Sequence, residues 1–309
     1  MSLLNESAKG VYIISVTPFT TEGELDLKST DRLVDFYLRS GVSGITLLGM
    51  MGEAPKLTAA ESLRFTKHVI RRVAGAVPIV VGVSSPGFAA MGELARSVVD
   101  SGAGGVMVAP PPVVRTDAQA IEYFEQAAET LGPIPFVLQD FPLANNVQIS
   151  PSVLVSIIER VPSMVMLKHE DWPGLNKITA LRIAMSDRSL RRVSILVGNG
   201  GLFLPEELVR GADGAMTGFA FPEMMVDLCR LHLAGQPDRA SDIFDAYLPL
   251  VRYEQQMGVG LAVRKYVLAK RGIIGSATLR RPGRGLNDFE IAEVERLIAR
   301  QTRRLKELG

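Results

Sequence analysis

Met164-Val165-Met166-Leu167-Lys168-His169-Glu170-Asp171 is an apolar, β-rich run that ends abruptly in charge. Seven similar runs precede or follow it, over residues 11–16, 44–48, 79–83, 105–108, 135–138, 193–197 and 214–217. Between them lie amphipathic, helix-like stretches over 27–39, 58–74, 87–101, 117–131, 151–160, 175–185, 202–210 and 223–233. Strict alternation of this kind predicts a parallel sheet, and eight repeats predict its closure into a (β/α)8 TIM barrel. Several runs are apolar throughout, as befits strands covered by helices outside and packed side chains inside. A doubly wound open sheet is the alternative. Against it, Ser15-Val16-Thr17-Pro18-Phe19 follows the first run, where a dinucleotide fold would carry G-x-G-x-x-G.

Past residue 235 the strand signal stops. Helical stretches follow over 238–253, 259–271 and 288–308, with Gln236-Pro237 at the transition and Arg280-Arg281-Pro282-Gly283-Arg284-Gly285 before the last. The expected organisation is a barrel over residues 1–234 and a C-terminal three-helix extension over 235–309, packed on it. No flexible Gly/Ser linker marks off a separate domain.

Composition bounds the function. A chain of 309 residues, 47% hydrophobic and 22% charged, has ample material for one large core. Lys plus Arg, 34, nearly cancels Asp plus Glu, 33, so no global field favours nucleic acid or an anionic membrane. The single cysteine, Cys229, excludes an intramolecular disulfide and a cysteine-rich metal site, and a reducing cytoplasm is the expected setting. The opening MSLLNESAKG does not read as a secretory leader, and no apolar run reaches the roughly 18 residues of a membrane span.

In such a barrel the chemistry lies at the carboxy-terminal ends of the strands. Lys168 then stands at the mouth of an apolar interior, where desolvation leaves part of the amine neutral and nucleophilic, as a Schiff-base enzyme requires. A lysine snorkelling to water from the end of a buried strand is the plainer alternative. After the second run, Gly49-Met50-Met51-Gly52-Glu53 is a tight turn whose amides form a nest suited to a carboxylate. Gln139-Asp140-Phe141-Pro142 ends the fifth run, and Gly198-Asn199-Gly200-Gly201 ends the seventh. The histidines, His68, His169 and His232, are scattered, so no metal site is expected, and no Walker loop or cofactor motif is present.

Together these positions resemble the dihydrodipicolinate synthase / N-acetylneuraminate lyase family of class I, pyruvate-dependent aldolases. The likeness runs from Val16-Thr17-Pro18-Phe19 through the Gly49-to-Glu53 turn, Lys168 and Gly211-Ala212-Asp213-Gly214 to the closing helices. It implies that Lys168 forms the imine, that the turn binds the substrate carboxylate, and that the chain is a homotetramer or dimer. It also exposes departures. Met50-Met51 stand where the family carries hydroxyls, Gln139 where it carries an acid/base tyrosine, and Ala144 where the synthases carry an arginine. Pro112 falls near the tyrosine that neighbouring subunits contribute. An amide cannot serve as a proton donor and acceptor in the tyrosine's place, so lysine biosynthesis is the less favoured reading.

The expected function is a lyase or aldolase acting on pyruvate or a related 2-keto acid, with a small-molecule aldehyde as second substrate or product. A non-catalytic keto-acid-binding protein is the alternative of another class. Candidates for the acid/base role are Glu170, two residues beyond Lys168 and so on its face, and Asp140, which strand alternation turns toward the rim. His169 falls on the opposite face and is read as structural. Met50, Met51, Gln139, Gly198 and Met216 are the expected substrate-binding residues. Met50, Met51, Phe141 and Phe219 are expected to make the mouth apolar and to favour a nonpolar or aromatic aldehyde portion.

Overall fold

The computed structural model describes residues 3–187 and 190–309. Eight parallel strands close into a barrel in sequence order: β1 (Gly10–Ile14), β2 (Gly44–Leu47), β3 (Ile79–Gly82), β4 (Gly105–Val108), β5 (Phe136–Asp140), β6 (Met164–His169), β7 (Ser194–Val197) and β8 (Gly214–Ala215). The seam joins β1 to β8 with Gly10 opposite Gly214. A Cβ on Gly214 would lie 2.0 Å from the Gly10 carbonyl oxygen, and its φ is +148°, so closure at this point demands glycine.

The barrel helices are α1 (Leu27–Arg39), α2 (Ala59–Val73), α3 (Phe88–Asp100), α4 (Asp117–Leu131), a one-turn α5 (Pro142–Asn145), α6 (Pro151–Arg160), α7 (Leu175–Ser186), α8 (Leu204–Val209) and α9 (Pro222–Leu233). Their starts are written in the sequence. Thr58 and Thr116 each accept from the backbone N–H three residues on, while Glu61 and Gln119 reach back, so α2 and α4 open with reciprocal capping boxes. After α9 come α10 (Pro237–Glu254), α11 (Gly260–Lys270) and α12 (Asp288–Glu307). α10 packs against α8, α9, α11 and α12.

Strand alternation divides the interior into two apolar layers. Residues such as Val11, Ile13, Ile45, Leu138, Leu167 and Ile195 point outward and pack under the helices. Tyr12, Ile14, Val80, Met107, Val137, Met166, Leu196 and Met216 point inward and fill the barrel. That inner plug fills the lumen between Ser194, whose Oγ donates to the Ala8 carbonyl at the amino-terminal end, and the polar side chains that project at the mouth.

Candidate active site

Met166, Lys168 and Glu170 fall on the inward face at the end of β6, and Gln139 does so on β5, where it is in register with Lys168. The Lys168 Nζ lies 2.8 Å from Glu170 Oε2, both side chains being only 6% exposed. The same oxygen accepts from Gln139 Nε2 at 2.7 Å. Glu170 stands one residue beyond the strand, and its backbone is held by N–H donation to the Asp140 carbonyl at 2.8 Å and by Asn199 Nδ2 donating to its own carbonyl at 3.2 Å. Gly198 makes the room: a Cβ there would lie 2.1 Å from Glu170 Cγ.

Across the mouth, the turn after β2 is a single 3₁₀ turn over Met50–Gly52, with Glu53 in the left-handed region at φ 56°. The amides of Met50 and Met51 have no acceptor among the described residues, and both residues line the cavity that holds Lys168. Two free N–H groups at the start of a helical turn suit a carboxylate. Glu53 itself is structural. Its carboxylate is buried and accepts from Lys265 Nζ at 2.6 Å, Lys56 Nζ at 2.8 Å and the Arg280 backbone N–H at 3.0 Å, which pins the turn to α11 and the loop before α12. Burial pushes the Lys265 amine down to about 8 against the pull of Glu53. Thr17 Oγ1 adds a bond to the Gly52 carbonyl at 2.6 Å.

The cavity measures about 430 Å³, ordinary for a small-molecule site. Met50, Met51, Phe141, Leu143 and Trp172 give its lining an apolar part, and Ala144 stands beside them with no charge to offer, while the exposed Arg284 lines the same cavity. Trp172 is 46% exposed and packs edge-on to Phe203. Its walls are polar, with Asn199, Thr217, Gln255, Arg264 and Lys56 joining Gln139 and Glu170. Of the residues expected to make the mouth apolar, Met50, Met51 and Phe141 line the cavity together with these polar groups, and Phe219 does not. That ring is 2% exposed and packs against Phe221 and Tyr247 in the outer layer.

Three other expected site residues lie elsewhere. Asp140 is fully buried and faces outward with His169, its register partner, because odd and even strand positions face opposite sides. Its Oδ2 pairs with Lys177 Nζ on α7 at 2.7 Å, away from the cavity, so it is not brought to Lys168. Met216 is buried in the inner plug, and Gly198 lies behind Glu170. His169 is structural as expected, its Nε2 bonding the Gly174 carbonyl at 3.1 Å. Sequence reading missed Asn199, Thr217, Trp172, Gln255 and Arg264. Asn199 and Thr217 follow strand ends and were findable on that ground, whereas Gln255 and Arg264 come from the C-terminal helices and carry no local signal.

Among the described residues, no group of three or more His, Cys, Asp and Glu side chains is placed to hold a metal ion. No helix among them is long and apolar enough to cross a membrane.

A closed (β/α)8 barrel with a buried lysine, a touching carboxylate and two free backbone amides at its mouth has the groups that imine-forming barrel enzymes need. The dihydrodipicolinate synthetase family profile matches residues 7–301, and the chain belongs to that family. Its members are class I lyases, and this chain is an enzyme of that kind. It is 28% identical to the L-2-keto-3-deoxyarabonate dehydratase of Azospirillum brasilense over 278 residues, covering 89% of this chain and 88% of that one. It is 29% identical to the 4-hydroxy-tetrahydrodipicolinate synthase of Oceanobacillus iheyensis over 78% of this chain and 80% of that one. A crystal structure described as dihydrodipicolinate synthase from Rhodopseudomonas palustris superposes with a TM-score of 0.95 at 54% identity, covering 97% of this chain and all of that one.

Proposed function

We propose that the chain dehydrates a hydroxylated 2-keto acid through an imine on Lys168, with Glu170 as the acid/base group. The observation that carries this is the placement of one buried carboxylate oxygen 2.8 Å from the amine nitrogen. The substrate carboxylate takes the free amides of Met50 and Met51, which turns the keto carbon toward Lys168. Glu170 accepts a proton from the ammonium, and the freed amine attacks the carbonyl. The amine proton shifts to the carbonyl oxygen and Glu170 returns its own proton there, so that the oxygen leaves as water, giving the iminium, an electron sink for the adjacent carbon, and an ionised Glu170. Glu170 then takes a proton from C3, the electron pair forms the enamine, and the same carboxyl returns the proton to the departing C4 hydroxyl. Hydrolysis of the imine releases product and regenerates the amine. Gln139, which cannot exchange protons, holds Glu170 in place.

One carboxylate suffices for this sequence because it removes and redelivers the same proton. The polar walls beyond Lys168 suit a hydroxylated chain, and the dehydratase of A. brasilense is named for such a substrate. A condensation of pyruvate with an aldehyde is the second reading, favoured by the 54% identity to the R. palustris structure and its description as a synthase. Against it stand Gln139 and Ala144, which supply neither the hydroxyl nor the cation of the synthase pattern. Incubation with L-2-keto-3-deoxyarabonate, and separately with pyruvate plus a panel of aldehydes, decides between them. Loss of water from the first supports the proposal, and consumption of pyruvate only in the second overturns it.

The division into a barrel over 1–234 and an extension over 235–309 belongs to the same proposal, as do a homotetrameric or dimeric assembly and a cytoplasmic setting. Family membership supports the assembly, and light scattering tests it.

A further inference from the structure

On the side of β5 and β6 turned away from the cavity lies a second ionic cluster that the chemistry above does not use. Lys177, in the first turn of α7, is buried with its Nζ 2.7 Å from Asp140 Oδ2 and 2.7 Å from Asp171 Oδ2. Asp140 is the chain neighbour of Gln139, and Asp171 that of Glu170. Inside the barrel mouth Gln139 bonds Glu170; outside it, one cation joins the two residues that follow them. The Asp140 carboxylate also faces His169 Nδ1 at 3.7 Å, and Asp171 accepts from the Trp172 backbone N–H at 2.8 Å.

We infer that Lys177 is a positioning residue: by clamping Asp140 to Asp171 it fixes the backbone of Glu170 and so sets the carboxylate against Lys168. Glu170 lies past the last residue of β6, where a chain end is free to fray unless something beyond it is tied down. Its N–H bond to the Asp140 carbonyl is the last link between the two strand ends. Lys177 ties the residue on either side of that link to a helix. Buried ion clusters are weak contributors to stability but strict about geometry, and an acid/base group needs placement to a fraction of an ångström.

The inference rests on the imine reading, and pyruvate tests the two separately. In D2O, an imine of pyruvate exchanges its methyl protons: Glu170 takes a C3 proton, the C–H electron pair becomes the C2=C3 bond as the C=N π pair moves onto nitrogen to give the enamine, and a deuteron returns to C3. Methyl exchange followed by NMR reads the Glu170 step, and the fraction trapped by borohydride reads imine formation. Lys177→Met is expected to slow exchange by at least roughly tenfold while the trapped fraction stays within about twofold, the signature of a misplaced group and not of a lost site. Lys177→Arg is expected to restore most of the rate, and Asp171→Asn, which keeps the side-chain shape, to fall between. Exchange at the wild-type rate in folded Lys177→Met or Asp171→Asn would overturn the inference. So would trapping and exchange declining in parallel, or Lys177→Arg behaving no better than Lys177→Met. If the wild-type protein traps no pyruvate, the imine reading fails and this inference with it; if it traps pyruvate and the variants do not respond, only the inference fails.

Discussion

Replacing Glu170 by glutamine removes one charge from a buried pair and little else. At 2.8 Å and an effective dielectric constant of about 20, the Lys168–Glu170 attraction is worth about 6 kcal/mol before desolvation is subtracted. Breaking a buried pair by deleting one partner has a net cost of about 3–5 kcal/mol. Glu170→Gln is therefore expected to be destabilised by about 3–5 kcal/mol in urea unfolding. Turnover is another matter. A positioned general acid/base contributes roughly 10²- to 10⁴-fold, so dehydration should fall by that factor while borohydride trapping of pyruvate on Lys168 persists. Turnover within about threefold of wild type would refute the assignment, because no such factor could then reside in Glu170.

Gly198→Ala would place a methyl 2.1 Å from Glu170 Cγ and push the carboxylate off Lys168. Steady-state turnover should fall by roughly 10²-fold, the usual result of moving a catalytic group by an ångström. Lys265→Met leaves the Glu53 carboxylate buried with Lys56 and one amide, and should cost about 3–5 kcal/mol in urea unfolding; an unchanged midpoint would mean that this pair does not hold the turn. Glu207 is buried, and burial first, then Glu206 and Glu170, pushes its carboxyl up to about 8. Between its unfolded value of about 4.3 and that figure, the folded state holds a proton the unfolded chain has shed, so stability falls as pH rises, by up to about 1.4 kcal/mol per unit. Glu207→Gln should therefore raise the melting temperature at pH 8 and leave it unchanged at pH 4.

The barrel was legible because each strand is a short apolar run bounded by an amphipathic helix. At α2 and α3, the sequence limits of 58–74 and 87–101 fall on the capping residues that flank the observed helices. β8 is two residues long where four were expected, although the Met216 N–H still donates to the Val197 carbonyl and the Thr217 carbonyl still accepts from the Ile14 N–H. Alternation placed Lys168, Glu170 and His169 on the right faces. It also turned Asp140 away from the lumen, but not what it meets there, because Lys177 lies 37 residues on in another helix. Phe219 was misread since a residue shortly after a strand end either lines the mouth or turns outward under the helices. Arg264 and Gln255 reach the cavity only through the packing of α10 and α11, a long-range contact that no local pattern encodes.

Every step proposed for this site requires the amine of Lys168 to condense with a 2-keto acid. Borohydride reduction in the presence of pyruvate, followed by peptide mass mapping, tests it directly. A stable adduct on Lys168, absent from Lys168→Arg, is the expected result. An adduct on another lysine, or none at saturating pyruvate, would contradict it.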